Sequence, residues 1–97
     1  MDEFNSIINS NPIVLIDFFA TWCGPCKAMH PVLEQLKVEM GDEIRILKID
    51  VDKNESLAAR FHIQSVPTLI MFLNGTQTWR HSGAMPLVAL TQAIEQH

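Results

Sequence analysis

What this sequence lacks narrows its function before any motif is read. Only two cysteines are present, whereas a zinc or iron–sulfur module draws four ligands, commonly from two Cys-x-x-Cys pairs. A resident metal or other bound cofactor is not expected. No run of lysine or arginine occurs, and none is interleaved with aromatic residues. Seven Lys and Arg stand against eleven Asp and Glu, a formal charge of −4. Nucleic acid is thereby an unsuitable partner. No apolar stretch approaches the roughly 18 residues of a spanning helix. Asp2 and Glu3 stand where a secretory leader would carry basic residues. The reading is a cytoplasmic protein with no membrane partner. Repeats, low-complexity tracts and composition breaks are also missing. Residues 1–97 therefore read as one domain, with 47% hydrophobic residues to build its core.

What is there is concentrated. Both cysteines lie in Trp22-Cys23-Gly24-Pro25-Cys26-Lys27, after the apolar run Ile13–Phe19 and before a helical pattern. Thiols at the start of a helix feel unpaired backbone N–H groups and the positive end of the helix dipole, which favour thiolate. Thiolate is the form that attacks disulfides. In a reducing compartment a lone Cys-x-x-Cys is catalytic or metal-binding more often than a structural staple. The motif therefore points to thiol–disulfide redox chemistry.

The rest of the chain alternates between helical and strand patterns. Asp2 to Ser10 reads as a first helix, broken by Asn11-Pro12. Ile13–Phe19 is apolar on both alternating faces, as in a strand covered on both sides. Met29, Leu33, Leu36 and Met40 repeat at helical spacing, with Pro31 inside the helix as a kink and Gly41 as its end. Ile44–Val51 is a second strand, and Asn54 is placed to cap a helix over Glu55–Arg60. Thr68–Leu73 is a third strand, and Asn74-Gly75 turns it into a polar edge strand, Thr76–His81. Pro86 opens a last helix carrying Leu87, Leu90 and Ile94 inward. The order predicts an α/β class with a central mixed sheet of four to five strands and helices on both faces.

Asp17 stands out inside the first apolar run. It shares a strand face with Ile13, Leu15 and Phe19, while Val14, Ile16 and Phe18 fill the other. Burial raises a carboxyl pKa and makes it a usable base near neutral pH. The alternative is a carboxylate reaching solvent at the strand end.

Asp17 through Lys27, with Pro31, Lys48-Ile49-Asp50, Val66-Pro67-Thr68, Asn74-Gly75 and Ser82-Gly83-Ala84, make the chain resemble the thioredoxin family over nearly its whole length. The resemblance implies a thioredoxin fold and protein-disulfide reductase activity. Cys23 would attack a target disulfide and Cys26 would resolve the mixed disulfide. A thioredoxin reductase, typically a flavoprotein using NADPH, would restore the dithiol. Asp17 would help Cys26 lose its proton, and Lys48 matches the lysine that lies near it, the alternative being a surface lysine whose stem snorkels outward. Pro67 matches a cis-proline that leaves Val66 free to pair with extended substrate. Trp22, Gly24, Pro25, Val66, Pro67, Gly83 and Ala84 would form an apolar docking surface. Core packing is the other reading for Trp22, and a turn with positive φ the other reading for Gly83.

Three features depart from the usual pattern. Longer members have an edge strand before the first helix. Without it Ile44–Val51 becomes a sheet edge, unless Met1–Phe4 pairs there in part and keeps the protein monomeric. Phe19 stands where many members have Trp, so an indole N–H bracing the site is lost. His30 lies one turn after Cys26, where it could tune that thiol or join a metal, or simply face solvent or a hydrogen-bond partner. An oxidase or isomerase of the same fold is disfavoured by Gly24-Pro25. A docking subunit with incidental cysteines is disfavoured by Asp17 together with the intact motif.

Overall fold

The structure is a computed structural model that describes residues 3–97. Helix α1 (Glu3–Ile8) leads to strand β1 (Ile13–Phe19), then α2 (Gly24–Met40), β2 (Ile44–Asp50), α3 (Glu55–Arg60), β3 (Thr68–Leu73), β4 (Thr76–Ser82) and α4 (Leu87–Gln96). The strands form one four-stranded mixed sheet in the order β2-β1-β3-β4. Strand β1 runs parallel to β2 and antiparallel to β3, and β3 pairs antiparallel with β4. The α/β reading with four strands is therefore correct.

The double-sided apolar character of β1 has a direct structural cause. Val14, Ile16 and Phe18 pack with Phe4 and Ile8 of α1 and with Phe72 and Ile70, against Leu57 of α3. Leu15 packs the other way, with Met29, Leu33 and Leu36 of α2 and Leu90 of α4. Successive strand residues alternate faces, so α1 and α3 cover one side and α2 and α4 the other. Burying each such side chain stabilises the fold by about 1.5–3 kcal/mol. Strand β4 is half-exposed, and its Trp79 stacks on His81 with ring centroids 5.9 Å apart.

Local details depart from the sequence reading. Asn54 does not cap α3 with its side chain; its Nδ2 instead donates to the Asp50 carbonyl at 3.0 Å. Helix α2 runs through Pro31 to Met40, and a 3-10 turn over Gly41–Glu43 follows it before β2. Pro86 sits at the N-cap of α4 rather than inside it. Strand β2 is a sheet edge among the described residues. Glu3 and Phe4 belong to α1 and do not extend the sheet, while Met1 and Asp2 lie outside the described residues. No described helix is long and apolar enough to cross a membrane.

Candidate active site

The site forms where β1 ends and α2 begins. Cys23 is the N-cap of α2 in extended conformation, and its Sγ accepts the backbone N–H of Cys26 at 3.1 Å. Gly24 and Pro25 occupy the first helical positions and are exposed, so the motif bends tightly without burying bulk. Cys23 and Cys26 are joined as a disulfide. Both sulfurs pack beside Ala20, with Phe19, Val51 and Val66 around them. Cys23 was expected to be the exposed thiol. In the oxidised site it is 4% exposed against 1% for Cys26, so the order holds but both residues are buried. Phe19, Ala20, Val51 and Val66 cover them.

A second loop closes over the sulfurs. Cys23 Sγ lies 3.6 Å from the carbonyl oxygen of Val66. The Val66–Pro67 peptide bond is cis, as the resemblance implied. The Pro67 carbonyl in turn accepts the Gly83 N–H at 2.8 Å. Gly83 has φ of 100°, a backbone conformation that only glycine adopts freely, and a Cβ there would meet no neighbour. Its turn role and its place beside Pro67 are both real. Ala84 follows it, exposed, while Pro67 itself is buried. These contacts bring Cys23, Val66, Pro67 and Gly83 together across three loops.

Trp22 is 70% exposed, which rules out core packing. Its Nε1 donates to Asp52 Oδ2 at 2.9 Å, and Asp52 N–H donates to Asp50 Oδ1 at 2.9 Å. Trp22, Val51 and Ile63 to Val66 enclose a groove of about 140 Å³ beside the disulfide. Phe19 offers no indole N–H, and the indole that donates at this site is that of Trp22. Sequence reasoning missed Asp52. Its signal was topological: parallel β1 and β2 end together, as Val51 N–H donating to Phe19 O at 2.9 Å shows, so the residue after that junction faces the motif.

Asp17 is fully buried, and neither carboxylate oxygen has a hydrogen-bond partner. It does not reach solvent. Burial pushes its pKa from 3.8 up to about 6, against the opposing pull of Lys48. Lys48 sits directly across the β1–β2 register from Asp17 and is also exposed, so both of its readings hold together. Asp17 shares the Leu15 face and pairs in register with Leu69, both packed in the α2-side core, which sets it beneath the helix whose first turn holds Cys26.

His30 is half-buried. Its Nε2 is buried without a partner, and its ring meets the Phe19 ring edge-on at 5.7 Å. Among the described residues no three His, Cys, Asp or Glu side chains converge as a metal site.

The Thioredoxin family model matches residues 1–96. The chain belongs to the thioredoxin family. It is 43% identical over 96 residues to thioredoxin of Bacillus subtilis, covering 99% of this chain and 92% of that one. It is 48% identical over 82 residues to the chloroplastic thioredoxin Y of Oryza sativa, covering 84% of this chain and 49% of that protein. The chain thus spans about half the length of the rice protein and nine-tenths of the bacterial one. Oxidised mitochondrial thioredoxin 3 of Saccharomyces cerevisiae superposes with a TM-score of 0.88 at 37% identity, covering 98% of this chain and 88% of that one. With its redox-active Cys23–Cys26 pair, the chain is a thiol–disulfide oxidoreductase that reduces protein disulfides.

Proposed function

We propose that the two cysteines divide the work by position. Cys23 sits at the positive end of α2 and takes the Cys26 N–H on its sulfur, two influences that favour its thiolate. The thiolate attacks one sulfur of a target disulfide. The other target sulfur leaves as thiolate and takes a proton from solvent. Cys26 then gives up its proton and attacks Cys23 Sγ, releasing the second target thiol. Two electrons pass to the target and the Cys23–Cys26 disulfide remains. Asp17 is the base for that proton, being buried beneath the same helix with a pKa raised to about 6. Lys48 moderates Asp17 from across the strand pair.

The target backbone lies along Val66, before the buried Pro67, with Trp22, Gly24, Pro25, Gly83 and Ala84 as the surrounding surface. A thioredoxin reductase drawing on NADPH restores the dithiol, and the cytoplasm is the compartment that keeps it reduced. Residues 1–97 act as one domain and as a monomer, since exposed Arg45 and Lys48 on the β2 edge discourage edge pairing. Sedimentation at micromolar concentration is expected to return one chain; a tight dimer would contradict this.

The observation that carries the mechanism is Cys23 at the helix cap with Cys26 buried one turn inward. Cys26→Ser is expected to abolish turnover and accumulate a covalent adduct through Cys23, detected as a mass gain that dithiothreitol removes. Full turnover by this variant would refute the division of roles.

A further inference from the structure

The loop that joins β4 to α4 carries Gly83 and Ala84, and it is held from two sides. On one side the Gly83 N–H donates to the Pro67 carbonyl at 2.8 Å. On the other the backbone N–H of Met85 donates to the thioether sulfur of Met29, in α2, at 3.3 Å. Between these anchors Ala84 is exposed, and among the described residues no group takes its N–H.

A thioether is a weak acceptor, and methionine commonly serves as filler in a core. Met29 is 1% exposed and packs with Leu33, Leu69 and Leu90, so filling is part of what it does. A leucine would fill that volume as well. What the sulfur adds is a partner for the N–H of half-buried Met85. Met85 precedes Pro86, which biases it to extended backbone and brings no N–H of its own. Pro86 is the N-cap of α4 and makes no side-chain hydrogen bond there. The Met85 N–H is therefore the last backbone donor before α4 by which the loop is tied down.

The place of Met29 in α2 gives this contact its consequence. It lies three residues after Cys26 and so on the same side of the helix. The links then close into a ring around the disulfide. The Cys26 N–H meets Cys23 Sγ, and Cys23 Sγ lies beside the Val66 carbonyl. Pro67 takes Gly83, and Met85 returns to α2 through Met29. The loop that presents Ala84 is thus fixed to the helix that holds the cysteines. Outside the redox pair, Met29 is the side chain that closes the ring.

We propose that Met29 is a positioning residue for protein substrates. Its sulfur sets the height of the loop, so that Ala84 meets a polypeptide lying along Val66 while Cys23 attacks its disulfide. Met29 governs how well a large substrate is held and leaves the sulfur exchange unaffected. This rests on the reading of Gly83 and Ala84 as docking surface.

Met29→Leu keeps the apolar volume and removes the acceptor. With insulin as substrate its KM is expected to rise about fivefold, the factor for one lost hydrogen bond, at unchanged kcat. Dithiobis-nitrobenzoate is a disulfide with no polypeptide to dock. Its rate of reduction and the Cys23–Cys26 potential should both stay as in the parent. An unchanged insulin KM would overturn the proposal. An equal loss with both substrates would place the effect at the cysteines and also overturn it. Ala84→Asp tests the surface itself and should raise the insulin KM by about tenfold. If it does and Met29→Leu does not, the docking surface stands and Met29 has no part in it. If Ala84→Asp changes nothing, the docking surface lies elsewhere and the proposal falls with it. On the unmodified chain the Met85 amide should exchange with deuterium about tenfold more slowly than that of Ala84. Equal exchange would show that the sulfur holds nothing, even if a variant failed to fold.

Discussion

The two faces of the sheet are built to different rules. The α1 and α3 face buries Val14, Ile16, Phe18, Ile70 and Phe72 with no buried charge among them. The α2 and α4 face buries just as many apolar side chains but also holds Asp17, with both oxygens unpartnered, and the His30 Nε2. Buried polar atoms without partners each cost the fold free energy. The difference teaches that one face supplies stability that the other spends near the cysteines. A single strand, β1, serves both, because its side chains alternate.

The comparison is most sharply broken by substitution on the apolar face. Phe18→Ala is expected to cost about 3–5 kcal/mol in urea unfolding, with the Cys23–Cys26 potential unchanged. A shifted potential would mean the faces are not separable.

Asp17→Asn tests the other side, with a smaller effect of opposite sign. A carboxyl whose folded pKa is raised from 3.8 to about 6 binds its proton more tightly in the native state. Between those values the unfolded chain has lost the proton while the native one keeps it, so stability falls as pH rises and levels off above about 6. A shift of this size is worth about 3 kcal/mol. Asp17→Asn should therefore be more stable than the parent by about 3 kcal/mol at pH 8 and by nothing near pH 4. Denaturant midpoints across pH check this, and a gain independent of pH would show that charge is not the cause. Disulfide exchange should slow at the resolving step in the same variant.

His30→Leu carries the smallest effect. Removing a buried nitrogen without a partner should raise stability by about 1 kcal/mol, seen as a higher thermal midpoint. A loss instead would mean that the edge contact with Phe19 outweighs the orphaned nitrogen.

Most of the fold could be read from local pattern. β1 and β3 are flanked by turn residues and are apolar apart from Asp17 and Thr68, so their limits needed no tertiary information. Asp17 was legible for the same reason: a carboxylate inside such a strand has nowhere to go. What local pattern left open was settled in each case by a specific partner. Asn54 has the chemistry of a cap, but the Asp50 carbonyl takes its side chain. Trp22 lies at the surface as the docking reading required, but the partner of its indole, Asp52, is thirty positions away and outside any local pattern. His30 sits at a position that local spacing left open, and its edge-on contact with the Phe19 ring could not be read from that spacing. Periodicity reports which face a residue takes, not which distant group will meet it there.

The two tryptophans are placed so differently that the chain carries a built-in pair of optical reporters. Trp22 is solvent-facing and adjacent to Cys23, so breaking the neighbouring disulfide removes a quencher from its surroundings. Trp79 lies flat on His81 within β4, half-buried between its neighbours. A redox titration followed by fluorescence therefore mixes light from two differently placed indoles, and replacing Trp79 alone would leave a trace from the one beside the cysteines.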